Sequence, residues 1–180
     1  MKRQAGLGAP TVWLTGIPAS GKTTLARLLM EHCHKRGILA DILDGDEMRL
    51  TLSRDLGFTR EARLEHAKRV IYVAKLLARN RIVVIIPLIS PYGETRQFAR
   101  DELENFVEVY VKAPLETCIK RDPKGLYKKA MAGEIKDLTG LQAPYEEPLH
   151  PEIQIETDKE SEQESLQKLV SGLQGLGYLK

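Results

Sequence analysis

The sequence predicts an α/β domain of three layers, with a mostly parallel central sheet between two layers of helices. Three observations predict it. Short apolar, β-branched runs alternate along the chain with longer stretches whose apolar residues recur at helical spacing. The strongest run, Ile82-Val83-Val84-Ile85-Ile86, is apolar at every position, as suits a central parallel strand covered on both faces. The first run leads straight into a glycine-bearing loop and then into a helical stretch, the order of a strand–loop–helix unit.

Taken in order, residues 1–10 read as a frayed arm ending at Pro10. Thr11-Val12-Trp13-Leu14-Thr15 is a buried strand stopped by Gly16-Ile17-Pro18. Thr23 to about Arg36 places Leu25, Leu28, Leu29 and Cys33 at helical spacing, and Gly37 stops it. Ile38–Leu43 is a second strand. Arg60–Arg79 carries Leu64, Ala67, Val70, Ile71, Ala74 and Leu77 on one helical face. After the Ile82–Ile86 strand come a helix over Thr95–Glu104, a strand over Phe106–Val111 and a helix opened by Pro114 that runs toward Arg121. A last strand spans Glu152–Glu156 and an amphipathic helix spans Glu160–Gln174. The polar, Gly/Pro-punctuated stretch from Lys124 to His150 fits no element. With Arg121 before it, it reads as a mobile lid over about 121–150, or as an ordinary solvated loop.

Composition narrows the class. The 180 residues, 42% hydrophobic and 29% charged, suit a single globular domain over 1–180. Lys+Arg 27 against Asp+Glu 25 leaves a net charge of +2, which argues against a dedicated nucleic-acid binder or a polybasic membrane binder. No apolar run reaches the roughly 18 residues of a membrane span, and no secretory-type apolar core follows the basic start. Two cysteines, Cys33 and Cys118, give no disulfide framework, so a reduced cytoplasmic protein is expected.

Gly16-Ile17-Pro18-Ala19-Ser20-Gly21-Lys22-Thr23 fits G-x-x-x-x-G-K-S/T at every fixed position, between a strand and a helix. The glycines let backbone N–H groups turn inward around phosphate oxygens, and the helix N-terminus adds its dipole. Gly16, Ala19, Ser20, Gly21, Lys22, Thr23 and Thr24 are therefore the candidate nucleoside triphosphate cradle. Lys22 reaches the β/γ-phosphates, and the Thr23 hydroxyl ligates Mg²⁺. Asp44-Gly45-Asp46 lies at the carboxyl end of the second strand, where ligands of open α/β sheets bind. There it reads either as a turn or as a pair of carboxylates for Mg²⁺ and for the proton of an attacking hydroxyl.

Longer motifs then carry a family resemblance. Leu43-Asp44-Gly45-Asp46-Glu47-Met48-Arg49, Asp55-Leu56-Gly57-Phe58 with Arg63, Ile89-Ser90-Pro91-Tyr92, Arg121–Ala130, Gly133–Lys136, Thr139-Gly140 and Ala143–Glu146 resemble, in this order, segments of the adenylylsulfate (APS) kinases. The resemblance covers about Val12–Thr157. It implies a P-loop kinase fold that uses ATP and Mg²⁺ to phosphorylate the ribose 3′-hydroxyl of adenosine 5′-phosphosulfate, giving PAPS and ADP. By the same resemblance, Lys22, Asp44, Asp46 and Ser90 are catalytic, with Asp46 as base and metal ligand beside Thr23. Arg49 and Arg63 bind the phosphosulfate, Phe58 stacks on the APS adenine, and Ile89 and Ser90 contact the acceptor. Arg121 and Lys124 close over the nucleotides, Arg121 on the ATP side and Lys124 on the APS side. The family position of Ser90 has been assigned as a phosphoserine; direct in-line transfer is the simpler expectation, because no base neighbours Ser90 in sequence. A homodimer and functional coupling to an ATP sulfurylase are implied in the same way.

The chain departs from the family pattern at four places. His66 replaces an Asn and Leu138 an aromatic, and both positions are expected to face APS, His66 as a hydrogen-bond donor whose protonation state matters near pH 6.5. Ala62 replaces an Asp, and Ile86-Pro87-Leu88 replaces the usual lead into Ile89–Tyr92. Two other readings stay open: a P-loop kinase for another small nucleotide or sugar, and a nucleotide-binding protein without turnover. His32-Cys33-His34 is set aside as a metal site, since neighbours on a helix do not share a face; it reads as a buried Cys between two exposed His. Cys118 and Trp13 read as packing residues, and the acidic Asp158–Glu164 run reads as a helix start.

Overall fold

Strand β1 (Thr11–Thr15) sits at the centre of the computed structural model, which describes residues 8–179. Residues 1–7 of the expected arm lie outside the described residues. Around β1 the strands β2 (Ala40–Ile42), β3 (Val83–Pro87), β4 (Phe106–Lys112) and β5 (Ile153–Glu156) form one five-stranded parallel sheet in the order β2-β3-β1-β4-β5. The all-apolar β3 is interior but not central. Every interior strand is covered on both faces, so an apolar run cannot tell the middle place from its neighbour.

Strand alternation sorts the side chains between the two helical layers. Val12, Leu14, Ile85, Val107 and Val109 pack against α1 (Lys22–His34) and α7 (Glu162–Gly175) through Leu25, Leu29, Cys33, Leu166 and Leu169. Trp13, Val84 and Ile86 point to the other face and meet Ala67, Val70, Ile71 and Ala74 of α3 (Arg60–Arg79) and Ala99 of α4 (Gly93–Glu102). The helical stripe of α3 predicted this face. Helix α7 starts on a capping box between Ser161 and Glu164, which explains the acidic run before it.

Two short helices were not expected. In α2 (Gly45–Thr51), the Asp44 side chain caps the N-terminus by accepting from the Asp46 and Glu47 N–H groups. The Asp-Gly-Asp segment is therefore a helix start rather than a turn, because Asp44 satisfies two otherwise orphaned donors. In α6 (Leu126–Met131), the Asp122 carboxylate accepts from the Tyr127 and Lys128 N–H groups. Helix α5 (Leu115–Arg121) follows Pro114 as expected. The segment read as a lid is not simply a solvated loop. Tyr127, Ala130 and Leu138 form a third small core with Ala113 and Cys118, packed on Ile17 and Ala19 of the phosphate loop. Cys33 and Cys118 are both buried. Of the two histidines beside Cys33, His34 is exposed and His32 half-buried. No helix among the described residues is long and apolar enough to cross a membrane.

Candidate active site

Most of the predicted site gathers at the carboxyl ends of the strands. The loop after β1, the Asp44 tip after β2 and the Ile89-Ser90 segment after β3 border one cleft of about 530 Å³. It brings together Ala19, Gly21, Lys22, Thr23, Thr24, Asp44, Asp46, Arg49, Phe58, Arg63, His66, Ile89, Ser90, Arg121 and Lys124. Gly16 and Ser20 do not line it but shape the loop behind it. A Cβ on Gly16 would come within 2.3 Å of the Val111 carbonyl, so only glycine lets the loop pass β4 this closely. Gly21 takes a left-handed conformation (φ 104°) as the N-cap of α1.

The loop is tied down from three sides. Tyr127 of α6 donates to the Pro18 carbonyl at 2.9 Å, and Thr157 donates to the Ser20 carbonyl at 2.8 Å. Lys22 Nζ donates to the Gly16 and Ile17 carbonyls, both at 2.8 Å. Burial pushes the Lys22 ammonium down to about 8, with nearby charges acting more weakly. A cation so desolvated gains most from an anion such as a phosphate. Arg121 donates to the Thr157 hydroxyl and carbonyl at 2.9 and 2.6 Å. Thr157 thus joins Arg121 to the loop. Sequence reasoning missed it, since a lone Thr after a strand carries no signal.

The side of the cleft facing the phosphate loop is built from side chains. Phe58 is 65% exposed, with the Arg49 guanidinium 4.6 Å and the Arg63 guanidinium 5.7 Å from its ring centroid. Arg49 donates to the Gly57 carbonyl and Arg63 to the Phe58 carbonyl, so the loop that carries the ring also aims both cations. Burial, and for Arg49 the neighbouring Arg63 as well, hold both below the usual arginine value. Neither forms an ion pair among the described residues. Two unneutralised guanidiniums beside an open aromatic face form a site for a planar ring attached to an anion.

Asp46 is exposed and pairs with Lys124 Nζ, tying the acidic tip to the segment after α5. Its neighbour Asp44 gives one carboxylate oxygen to the α2 cap. Ser90 lines the cleft, but its Oγ accepts from Trp13 Nε1 at 2.7 Å and donates to the Leu88 carbonyl at 3.1 Å. His66 is buried; its Nδ1 meets Ser53 Oγ at 2.9 Å. Burial, helped by Arg49 and Arg69, pushes it down to about 4, so it is neutral at pH 7 and cannot act as the titrating donor its place in the sequence suggested. Leu138 is the expected acceptor residue that the structure does not bring to the cleft. It is buried in the third core, where an apolar side chain gains more than at an open nucleotide face.

The cleft suits Mg²⁺ only together with phosphates. Among the described residues, no group of three or more His, Cys, Asp or Glu could hold a metal. The Thr23 hydroxyl and the Asp46 carboxylate both line the cleft, and Mg²⁺ is commonly held by one or two carboxylates plus substrate phosphates and waters.

Residues 8–156 match the family model described as adenylylsulphate kinase. A probable adenylyl-sulfate kinase of Pyrococcus abyssi is 50% identical over 169 residues, covering 94% of this chain and 97% of that one. The adenylyl-sulfate kinase of Halothermothrix orenii is 48% identical over 179 residues, covering 99% and 95%. Among solved structures, the APS kinase of Mycobacterium tuberculosis in complex with AMPPNP and APS superposes with a TM-score of 0.89 at 42% identity, covering 93% of this chain and 98% of that chain.

Proposed function

This chain belongs to the adenylyl-sulfate kinase family, and from that premise we propose how its cleft works. It is an ATP-dependent phosphotransferase that phosphorylates adenosine 5′-phosphosulfate to PAPS, releasing ADP. One observation carries the reading. A phosphate loop, an acidic strand tip and an aromatic ring flanked by two free arginines border the same cleft.

Gly16–Thr24 cradles the triphosphate, with Lys22 exchanging its loop carbonyls for the β/γ-phosphate oxygens and Arg121 reaching the nucleotide from α5. Phe58 stacks on the acceptor adenine, while Arg49 and Arg63 take the phosphosulfate. Asp44 caps α2 and aims Asp46. The 3′-hydroxyl oxygen attacks the γ-phosphorus in line, its bond to the β,γ-bridging oxygen breaks, and the hydroxyl proton passes to Asp46. Thr23 and Asp46 would hold Mg²⁺, which neutralises charge on the transferring group. Ser90 shapes the acceptor wall rather than carrying the phosphoryl group, in keeping with a hydroxyl already bonded in both directions. His66 faces the acceptor as a neutral imidazole. Residues 121–150 act as a lid, with Lys124 tying its start to the acidic tip. The whole of 1–180 works as one domain, located in the cytoplasm. A homodimeric assembly, and APS supplied by an ATP sulfurylase, complete the proposal.

The test is ADP release from MgATP with and without APS, on wild type and Asp46→Ala. The expected result is APS-dependent release with a 3′-phosphorylated product, lost in the variant. ATP binding with no APS-stimulated ADP release would sink the assignment. AMP, CMP and gluconate as acceptors would then separate another small-molecule kinase from a chain without turnover.

A further inference from the structure

Arg96 is a buried cation that the chemistry above does not use. It lies on α4, 5% exposed, with a hydrogen bond from each terminal nitrogen and an ion pair at Nε. Its Nη1 donates to the Ser90 carbonyl and its Nη2 to the Glu146 carbonyl, each at 2.7 Å. Its Nε lies 2.8 Å from the buried Glu108 carboxylate on β4, and its guanidinium is 5.9 Å from the Tyr145 ring centroid. Three further bonds run along the same seam. The Tyr145 hydroxyl meets Thr15 Oγ1 at 2.9 Å, the Glu146 N–H donates to the Pro91 carbonyl at 2.8 Å, and the Gly93 N–H donates to the Glu146 carboxylate at 2.6 Å. Glu108 is shared with Arg100, which also pairs with Glu152. Two arginines thus face two glutamates, and the buried cluster carries no net charge.

One guanidinium therefore fastens two pieces of chain far apart in sequence: the Ile89-Ser90-Pro91 wall of the cleft and the Tyr145-Glu146 end of the lid segment. Ser90 sits at φ 44°, a left-handed conformation that a non-glycine residue holds only when its surroundings impose it. Arg96 takes its carbonyl from one side, and the Trp13 indole takes its hydroxyl from the other.

We infer that Arg96, held by Glu108, is a positioning residue for the acceptor wall: it fixes the Ser90 backbone and the root of the lid without touching substrate. This rests on the proposed reading only for the identity of the acceptor. A planar fork that serves two carbonyls and one carboxylate has no lysine equivalent, so Arg96→Lys is not a conservative change here.

Removing one member of a buried pair strands the other charge and destabilises the fold, so Arg96→Met alone is uninformative; the informative variant is the double Arg96→Met/Glu108→Gln, which leaves Arg100 with Glu152. The chain's single tryptophan reports on the wall directly, because Trp13 is bonded to Ser90. In the double variant, folded by circular dichroism, the kcat/KM for APS is expected to fall about 100-fold, as a displaced positioning group costs. The KM for ATP stays within about twofold by the same reasoning, and Trp13 emission shifts. Arg96→Lys behaves like the double variant. Two outcomes would overturn the inference: wild-type acceptor kinetics with unshifted emission in the folded double variant, or equal losses on the ATP and APS sides. If the wild type shows no APS-dependent release, the functional reading fails instead, and Trp13 emission still decides whether Arg96 holds the wall.

Discussion

The two halves of the cleft are built in different ways. On the proposed reading, the donor half is backbone: the eight residues Gly16–Thr23, two glycines held at close approach or positive φ, and carbonyls tied off by Tyr127, Thr157 and Lys22. The acceptor half is side chains from the segments around Asp44, Phe58 and Ser90: Lys124 holds Asp46 and Trp13 holds Ser90 from elsewhere in the chain, while Arg49 and Arg63 hold the Phe58 loop. Asp46 and Phe58 remain exposed, whereas Ser20 and Lys22 are buried. Phosphate recognition can be local because every N–H of a tight loop carries the same partial charge. Recognition of one particular acceptor needs several different groups placed independently.

That contrast predicts which variants uncouple the halves. Asp46→Ala gives the largest loss, about 10²–10⁴ in kcat, the range for removing a positioned general base. Binding of ATP, measured by nucleotide titration without acceptor, survives. If ATP affinity falls in step with kcat, Asp46 belongs to the donor half and the division is wrong. Lys22→Ala comes next, with kcat down about 10²–10³ as for a lost electrostatic donor. Here the KM for APS should hold while ATP affinity drops. Phe58→Ala should raise the KM for APS by about tenfold, since base–aromatic stacking is worth roughly 1–3 kcal/mol. Its kcat with saturating APS should stay near wild type.

A subtler effect follows from the Lys22 ammonium, held at about 8 by burial. In the free enzyme it loses its proton as pH rises through about 8, and ATP then meets a neutral amine. The kcat/KM for ATP should fall by about fivefold between pH 8 and pH 9, because this ratio reports the free enzyme. Phosphates beside the amine favour its charged form, so kcat should hold to higher pH. A kcat that declines in parallel with kcat/KM would mean that bound ATP leaves Lys22 in its buried, depressed state.

The same contrast explains what was legible in the sequence. The alternation of strands and helices, the phosphate loop, the stripe of α3 and the acidic helix start at α7 follow from local pattern, and the structure shows each. The phosphate loop needed no partner to be recognised. Helices α2 and α6 were invisible because each is only a turn or two long and rests on one Asp accepting from the N–H groups after it, a contact that reads equally as a turn. The fate of Leu138 was hidden for a different reason. Whether a side chain at the root of a lid faces the cleft or a small core depends on Tyr127 and Cys118 arriving from other helices. In the sequence Arg96 is one charge among several on a polar helix; only the sheet, which places Glu108 beside it, makes it a buried pair.

His66 offers the smallest and sharpest test, because the sequence suggested a titrating donor and the structure shows a buried neutral ring against Ser53. Its value in the folded protein is lowered from 6.5 to about 4. The sign follows from that direction. Above pH 6.5 the imidazole is neutral folded or unfolded, and its titration costs nothing. As pH falls below 6.5, the unfolded chain takes up a proton that the folded chain refuses, and stability is lost progressively toward pH 4. At pH 5.5 the loss is about 1 kcal/mol, or about 2–4 °C in Tm for a chain of this size. His66→Asn has no proton to take up, so its Tm should fall less than that of wild type between pH 7 and pH 5.5, measured by calorimetry in the same buffers. Parallel slopes would mean that His66 is solvated in solution, and that the acceptor half can still use it as a pH-sensitive donor.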